Sequence, residues 1–245
     1  MKERVQKILA EAGFGSRRSC ELLITEKRVQ VNGQVIKLGD KADPETDLVL
    51  VDGKKIKLIR EKVYIALHKP RGYLSDLDPK DPRKTVFDLI PPIPHLFSVG
   101  RLDLDSEGLI LLTNDGELAN HLTHPRYGHE KEYSVFVIHR PDDEQLRTWS
   151  RGVVMEDKTR TLPAKVTLVK YEKEGAWLKI IMKEGKKRQI REVGKLIGLP
   201  VDRIIRTRIN TLELGNLKPR QWRNLTRSEV QSLKKEKVNS RLSPK

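Results

Sequence analysis

The stretch GRLDLDSEGLILLTNDG, residues 100 to 116, places Asp103 and Asp105 two positions apart, directly before an apolar run that closes in a turn signal. LILLT reads as a strand. Carboxylates that lie against an apolar strand are costly to bury unless they are paired, so one of the two acids belongs at the surface or has a task of its own.

Downstream of this strand, YSVFVI, AKVTLV and AWLKIIM read as further strands, and ELANHL, RQIREVGKLIG and TRSEVQSLKK as helices. Thr226 and Glu229 have the spacing of a capping box, which supports the last helix. Upstream, from Lys62, VYIALHKPRGYLSD opens a region of strands of ordinary length separated by long polar connections. Residues 61–232 are therefore expected to form one mixed domain of strands and helices, and residues 233–245, which include EKVNSRLSPK, a basic flexible tail.

The first 60 residues follow a different pattern. In ERVQKILAEAG, Val5, Ile8, Leu9 and Ala12 fall on one helix face, and Gly13 stops the helix. Ser16 is an N-cap candidate for a second helix, RRSCELLITE, with Cys20, Leu23 and Ile24 facing inward. RVQVNGQVI alternates around Asn32-Gly33, a strong hairpin signal, and another strand pair brackets Asp52-Gly53. Lys7, Arg17 and Arg18 cluster near the helix junction, where they suit RNA phosphates or equally a solvated cationic face; charge alone does not choose.

The chain has 245 residues, 37% of them hydrophobic, which suffices for a core, and its 49 Lys+Arg against 34 Asp+Glu give a formal net charge of +15. A polyanion is the partner to expect, with nucleic acid ahead of a membrane surface. No apolar run is long enough to span a bilayer, and MKERVQKILAEAG scatters charge where a signal peptide is apolar, so the expectation is a soluble, cytoplasmic protein. The single cysteine, Cys20, rules out an intramolecular disulfide and reads as packing.

Few catalytic motifs survive inspection. His121, His124 and His129 lie within nine residues, but Pro125 breaks the helix that carries the first two and no carboxylate stands at ligand spacing, so no metal is expected. GxxxxGK[ST] and GxGxxG are absent, and no nucleotide cofactor is expected. Residues 183–208 carry nine Lys or Arg against three Asp or Glu. There Ile190, Val193 and Ile197 make an inner helix stripe that leaves Lys187, Arg188 and Lys195 to meet phosphates. Arg191 flanks the stripe; pointing inward it needs an anionic partner, for which Asp103 and Asp105 are candidates, and pointing outward it is one more surface charge.

RVQKILAEAGFGSRRSCELLI followed by RVQVNGQVI resembles the S-four-type RNA-binding domain, and HKPRGYLSD, GRLDLDSEGLILLTNDGELANHLTHPRYGHEKEY and EGKKRQIREVGKLIGLPVDRIIRTRI, in this order, resemble the rRNA pseudouridine synthases of the RsuA/RluB family. The likeness covers roughly residues 1 to 230. It implies an α+β protein: a small RNA-binding domain over residues 1–60, then a pseudouridine synthase domain with a largely antiparallel mixed sheet flanked by helices. It implies isomerisation of uridine to pseudouridine in ribosomal RNA without cofactor or metal, with 23S rRNA favoured over 16S. A non-catalytic rRNA-binding assembly factor is the alternative. By the resemblance Asp103 is the catalytic aspartate, Tyr133 the uracil-stacking tyrosine, and Arg191 the arginine that pairs with the aspartate within salt-bridge reach. Asp105 then shapes a turn, and Lys69, Pro70 and Gly72 belong to a largely structural first motif. Lys7, Ser16, Arg17, Arg18, Arg101, Lys187 and Arg188 are the expected RNA contacts, and the expected partner is rRNA, naked or in an assembling subunit, met by a monomer.

Overall fold

The computed structural model describes residues 1–58, 61–77 and 80–235. They form two compact units: Met1–Val63 with Ile93–Leu96, and Tyr64–Pro92 with Phe97 onward.

The first unit runs β1 (Glu3–Arg4), α1 (Val5–Glu11), α2 (Arg17–Thr25), β2 (Val29–Val31), β3 (Gln34–Val35), β4 (Lys41–Ala42), β5 (Val49–Val51) and β6 (Lys54–Lys55). Ser16 caps α2 by accepting from the Ser19 amide, as its side chain predicts. Asn32-Gly33 and Asp52-Gly53 turn the β2–β3 and β5–β6 hairpins with positive φ at both central residues, which is why Asn or Asp followed by Gly stands there. Val5, Ile8, Leu9, Cys20 and Ile24 pack against Val29, Val49 and Val51, so the inner helix faces and Cys20 lie where the periodicity puts them.

The second unit continues with β7 (Tyr64–Lys69), β8 (Phe97–Val99), β9 (Glu107–Thr113), α3 (Gly116–Thr123), β10 (Lys131–Val137), α4 (Asp143–Arg151), β11 (Lys165–Glu172), β12 (Gly175–Met182), α5 (Gln189–Leu196), β13 (Val201–Ile209), β14 (Leu212–Glu213), β15 (Trp222–Asn224) and α6 (Arg227–Lys234). Its sheet has the order β11-β12-β10-β13-β9-β7-β15, with β14 beside β13 and β8 beside β9. Every strand pairing in this sheet is antiparallel except β13 with β9, which are parallel. Side chains alternate across a strand, so Ile204 joins a cluster with Trp149 of α4 and Ile190 and Val193 of α5, while Ile205 packs with Leu118 and Leu122 of α3 and Leu233 of α6 on the other face.

The structure adds elements to the sequence reading: besides the short strands β1, β4, β8, β14 and β15, it adds α4 and β13. Asp142 and Gln145 form a capping box that starts α4, which buries Trp149, and β13 occupies the cationic segment VDRIIRTRI. It also moves boundaries: residues 61–63 and Ile93–Leu96 group with the first unit, and α6 buries Leu233 and runs through Lys234, whose ammonium reaches Asp115 at 2.9 Å, so these two residues belong to the helix and not to a tail. Residues 236–245 of the expected tail, and residues 59–60 at the expected domain boundary, lie outside the described residues.

Candidate active site

Between β8 and β9 the chain passes from Gly100 to Ser106 without a strand or helix, so its backbone polar groups must find partners elsewhere. The Arg101 carbonyl accepts from Arg206 Nη1 at 3.3 Å. Ser75 Oγ donates to Leu102 O at 2.7 Å and accepts from Leu102 N at 2.9 Å. Lys69 Nζ donates to Asp103 O (3.1 Å), Leu104 O (3.3 Å), Ser106 O (2.7 Å) and Pro70 O (3.1 Å), three protons shared among four acceptors. Arg191 Nη2 donates to Asp105 O at 3.1 Å. Each carbonyl from 101 to 106 thus accepts from one of four side chains, which come from β7, the connection after it, α5 and β13. Within the loop, Ser106 N donates to Asp103 O at 3.0 Å and closes a turn over Leu104 and Asp105.

The sheet register explains how two cations come to lie beneath this loop. Lys69 of β7 stands opposite Gly108 of β9, Gly108 opposite Arg206 of β13, and Arg206 opposite Tyr133 of β10, so the four form one row across the sheet. A Cβ on Gly108 would stand 2.4 Å from Arg206 O and 2.5 Å from Arg206 N, and its φ of +108° is a glycine conformation. Glycine there lets β9 and β13 approach closely. Lys69 is fully buried and Arg206 is 2% exposed. Burial pulls the Lys69 pKa down to about 8, with attraction to the Asp103 carboxylate opposing it.

Beside the loop opens a cavity of about 730 Å³. Leu102, Tyr133, Met182, Ile190 and Ile204 supply apolar walls, and Asp103 and Leu104 border it from the loop. Its charged lining is cationic at Arg101 and Lys186–Arg188 and acidic at Asp76 and Asp81. The apolar wall of this mixed cavity suits a flat heteroaromatic base, and the cations of its lining suit the phosphates that flank it.

Asp103 and Tyr133 share this cavity with Arg101, Lys187 and Arg188. Arg188 has a left-handed backbone (φ 52°) just before α5, and its guanidinium is 3.8 Å from the Asp105 carboxylate. Asp105, 61% exposed, is the surface acid of the pair and occupies a turn position. Arg191 differs from the expectation: among the described residues it forms no ion pair with Asp103. Its Nη1 and Nη2 donate to backbone carbonyls, Val201 O at 2.9 Å and Asp202 O at 3.4 Å besides Asp105 O, at the start of β13 and in the loop, while its buried Nε has no partner among the described residues. Burial, then the neighbouring Arg188, holds Arg191 below the ordinary arginine value. In the first unit Lys7 is engaged by Glu3 at 2.7 Å and Glu11 at 3.8 Å, and the Ser16 hydroxyl is committed to its cap, whereas Arg17 and Arg18 are exposed without an ion pair among the described residues. The three histidines hold no metal-ligating group among the described residues; His121 packs against Tyr127 and His129 as rings.

Sequence reasoning passed over Lys69, Ser75 and Arg206 as elements of the site. A signal existed for two of them: Lys69 ends the otherwise apolar strand YIALHK, and the alternation of IIRTRI puts Arg206 on the buried face of Ile204. A cation at a core position requires acceptors, and here they are main-chain carbonyls.

The sequence pattern described as RNA pseudouridylate synthase matches residues 63–194, and that of the S4 domain matches residues 3–48. A relative from Aquifex aeolicus (strain VF5), named an uncharacterized RNA pseudouridine synthase, is 43% identical over 236 residues, covering 95% of this chain and 94% of its own. Ribosomal large subunit pseudouridine synthase B of Bacillus subtilis (strain 168) is 40% identical over 95% of this chain and 96% of its own, and that of Escherichia coli (strain K12) 38% identical over 96% and 83%. A solved structure described as "Crystal structure of pseudouridylate synthase" matches with a TM-score of 0.69 at 26% identity, over 94% of this chain and 99% of that one. The resemblance read from the motifs is borne out: the chain belongs to the RNA pseudouridylate synthase family, with an S4 domain at its amino-terminal side.

Proposed function

We propose that this protein isomerises a uridine of large-subunit (23S) ribosomal RNA to pseudouridine, with Asp103 as its catalytic carboxylate, Tyr133 as the ring against which the extruded uracil stacks, and Arg191 as a positioning residue. The reading is supported above all by Asp103 standing at the edge of a cavity with an apolar wall and a cationic rim, on a loop whose carbonyls from 101 to 106 are each held by a side-chain donor. The reaction breaks the C1′–N1 bond, turns the uracil and joins C5 to C1′; N1 gains a proton and C5 loses one, so neither oxidant nor energy input is needed. Asp103 acts as nucleophile or base, and Arg191 serves it through the Asp105 carbonyl. Extruding a base costs a few kcal/mol, of which stacking returns about 1–3 kcal/mol. Arg101, Lys187, Arg188, Arg17 and Arg18 contribute phosphate contacts. The names of the large-subunit relatives favour 23S over 16S rRNA, and we place the protein in the cytoplasm as a monomer acting on naked rRNA or an assembling subunit.

The test is tritium release from uracil labelled at C5, with 23S and 16S rRNA as separate substrates and Asp103→Asn as the comparison. Release from 23S rRNA by the unmodified protein, lost in Asp103→Asn while RNA binding persists, is expected. Release from 16S rRNA alone would overturn the substrate, and release from neither would turn the reading to an assembly factor.

A further inference from the structure

The half of the large sheet made of β11, β12, β10 and β13 has two unlike faces. Residues directly opposite in a sheet share a face, and the register sets Lys170, Trp177, Phe136 and Arg203 in one row across these four strands. Two further rows, through Ser134 and Glu132, place Lys179 and Lys165 on the same face. No side chain of the three rows is buried, whereas the residues between them on β10, β12 and β13 are, Tyr133, Val135, Leu178, Ile180, Ile204 and Arg206 among them. Trp149 of α4 and Ile190 and Val193 of α5 pack on that buried set, and the cavity beside Asp103 is lined from the same side by Tyr133, Met182 and Ile204. Side chains alternate across a strand, so the three rows face away from the cavity.

The open face joins aromatic rings to positive charge. The Phe136 and Trp177 ring centroids are 5.3 Å apart, and the Arg203 guanidinium lies 5.9 Å over the Trp177 ring. With Arg208 the rows hold five cations against one carboxylate, Glu132, which Arg208 engages at 3.6 Å and Lys179 at 4.0 Å. At the margins Glu107 holds Arg203 at 2.5 Å, and Glu172 holds Lys170 at 2.9 Å and accepts from the Trp177 indole N–H at 3.1 Å, so five cations still outnumber three carboxylates. Rings set among Lys and Arg on an open four-stranded face match unpaired nucleotides, whose bases stack on rings and guanidinium planes while their phosphates meet the cations. A second copy of this chain would bring the same positive charge and be repelled. We propose that this face binds a single-stranded segment of the ribosomal RNA away from the target uridine, with a base stacked at Phe136 and Trp177 and phosphates at Lys165 and Lys179. The proposal rests on rRNA as the partner named above, and on no role of a residue in the cavity. An rRNA is far larger than the cavity, so one molecule reaches both faces of the sheet, and the added contact serves affinity and leaves the chemical step alone.

Filter binding of 23S rRNA to the whole chain carrying Asp103→Asn tests the assignment. Adding Trp177→Leu keeps an apolar side chain but removes the ring, and is expected to raise Kd about 5- to 150-fold. Adding Lys165→Gln and Lys179→Gln together is expected to reduce the slope of log Kd against log salt by about 1.4, at about 0.7 per phosphate contact on a single strand. In the protein with Asp103 intact the same changes are expected to raise KM for tritium release and leave kcat unchanged, because they touch binding alone. Kd and salt slope unchanged in both variants overturn the proposal. Should Trp177→Leu fail to fold, the lysine pair, both exposed, decides through its slope. A dimer in sedimentation that Trp177→Leu dissociates, with Kd for the RNA unchanged, overturns the RNA assignment and gives the face to a second copy. Absence of tritium release from the unmodified protein sinks the function proposed above, while a raised Kd in the Trp177 variant still upholds this face as an RNA surface.

Discussion

Replacing Lys69 by Met removes the ammonium under the Asp103 loop while keeping a side chain of similar length, and the outcome can be worked from its contacts. After the change Asp103 O keeps Ser106 N and Leu104 O keeps Gly72 N, but Pro70 O and Ser106 O lose the donor that Lys69 supplies. Two acceptors stripped in this way, one buried and one partly buried, cost at most about 2–6 kcal/mol, at about 1–3 kcal/mol each. Against this, the buried cation is itself expensive: the fall of its pKa from 10.5 to about 8 corresponds to about 3 kcal/mol against the charged form. The two effects nearly offset, leaving a net change between a gain of about 1 kcal/mol and a loss of about 3 kcal/mol, and a melting temperature lowered by less than about 10 °C. Activity has no such offset. A turn no longer drawn inward shifts Asp103 relative to the base, and a displacement of about 1 Å costs about 10²-fold in rate. Thermal melting and tritium release from 23S rRNA, measured on the same preparation, should therefore separate: a folded protein with kcat lowered about 10²-fold. Turnover within threefold of the unmodified protein would refute the clamp, and a collapse in melting temperature that accounts for the lost activity would reduce Lys69 to a purely structural residue.

Other consequences follow from the same row of residues. Gly108→Ala adds a Cβ against Arg206 backbone at 2.4 Å and forces a side chain into positive φ, so it should destabilise by about 2–5 kcal/mol, read as a fall in the urea midpoint; an unchanged midpoint would show that β9 and β13 can separate without penalty. Lys69 titrates at about 8 in the native state against 10.5 unfolded, so between these values the unfolded chain binds more protons and the lysine's own contribution to stability rises with pH, while the clamp loses its charge. kcat is therefore expected to fall above pH 8 without a matching fall in melting temperature due to this group, and the limb should be missing in Lys69→Met; a flat profile to pH 9 contradicts this. Ser75→Ala removes both bonds to Leu102, at a cost of about 1–3 kcal/mol by chemical denaturation, and lowers kcat as the loop loosens.

The sequence by itself determined whatever depends on neighbours a few positions apart. Helix faces, the Ser16 and Thr226 caps, the two hairpins and the early strands obey rules of periodicity and local hydrogen bonding, and all stand where those rules put them. The motif likeness carried Asp103 and Tyr133, both of which line one cavity. Helix α4 escaped notice because its single large buried side chain, Trp149, is set among charges, and β13 because arginines interrupt its alternation. Tertiary structure alone decided what holds the loop. The acceptors for Lys69, Arg191 and Arg206 are backbone carbonyls, which every residue carries and no letter of the sequence distinguishes. Arg191 therefore looked like a partner for a carboxylate, and the fold, by bringing the start of β13 and the Asp105 carbonyl against its guanidinium, made it a partner for the main chain.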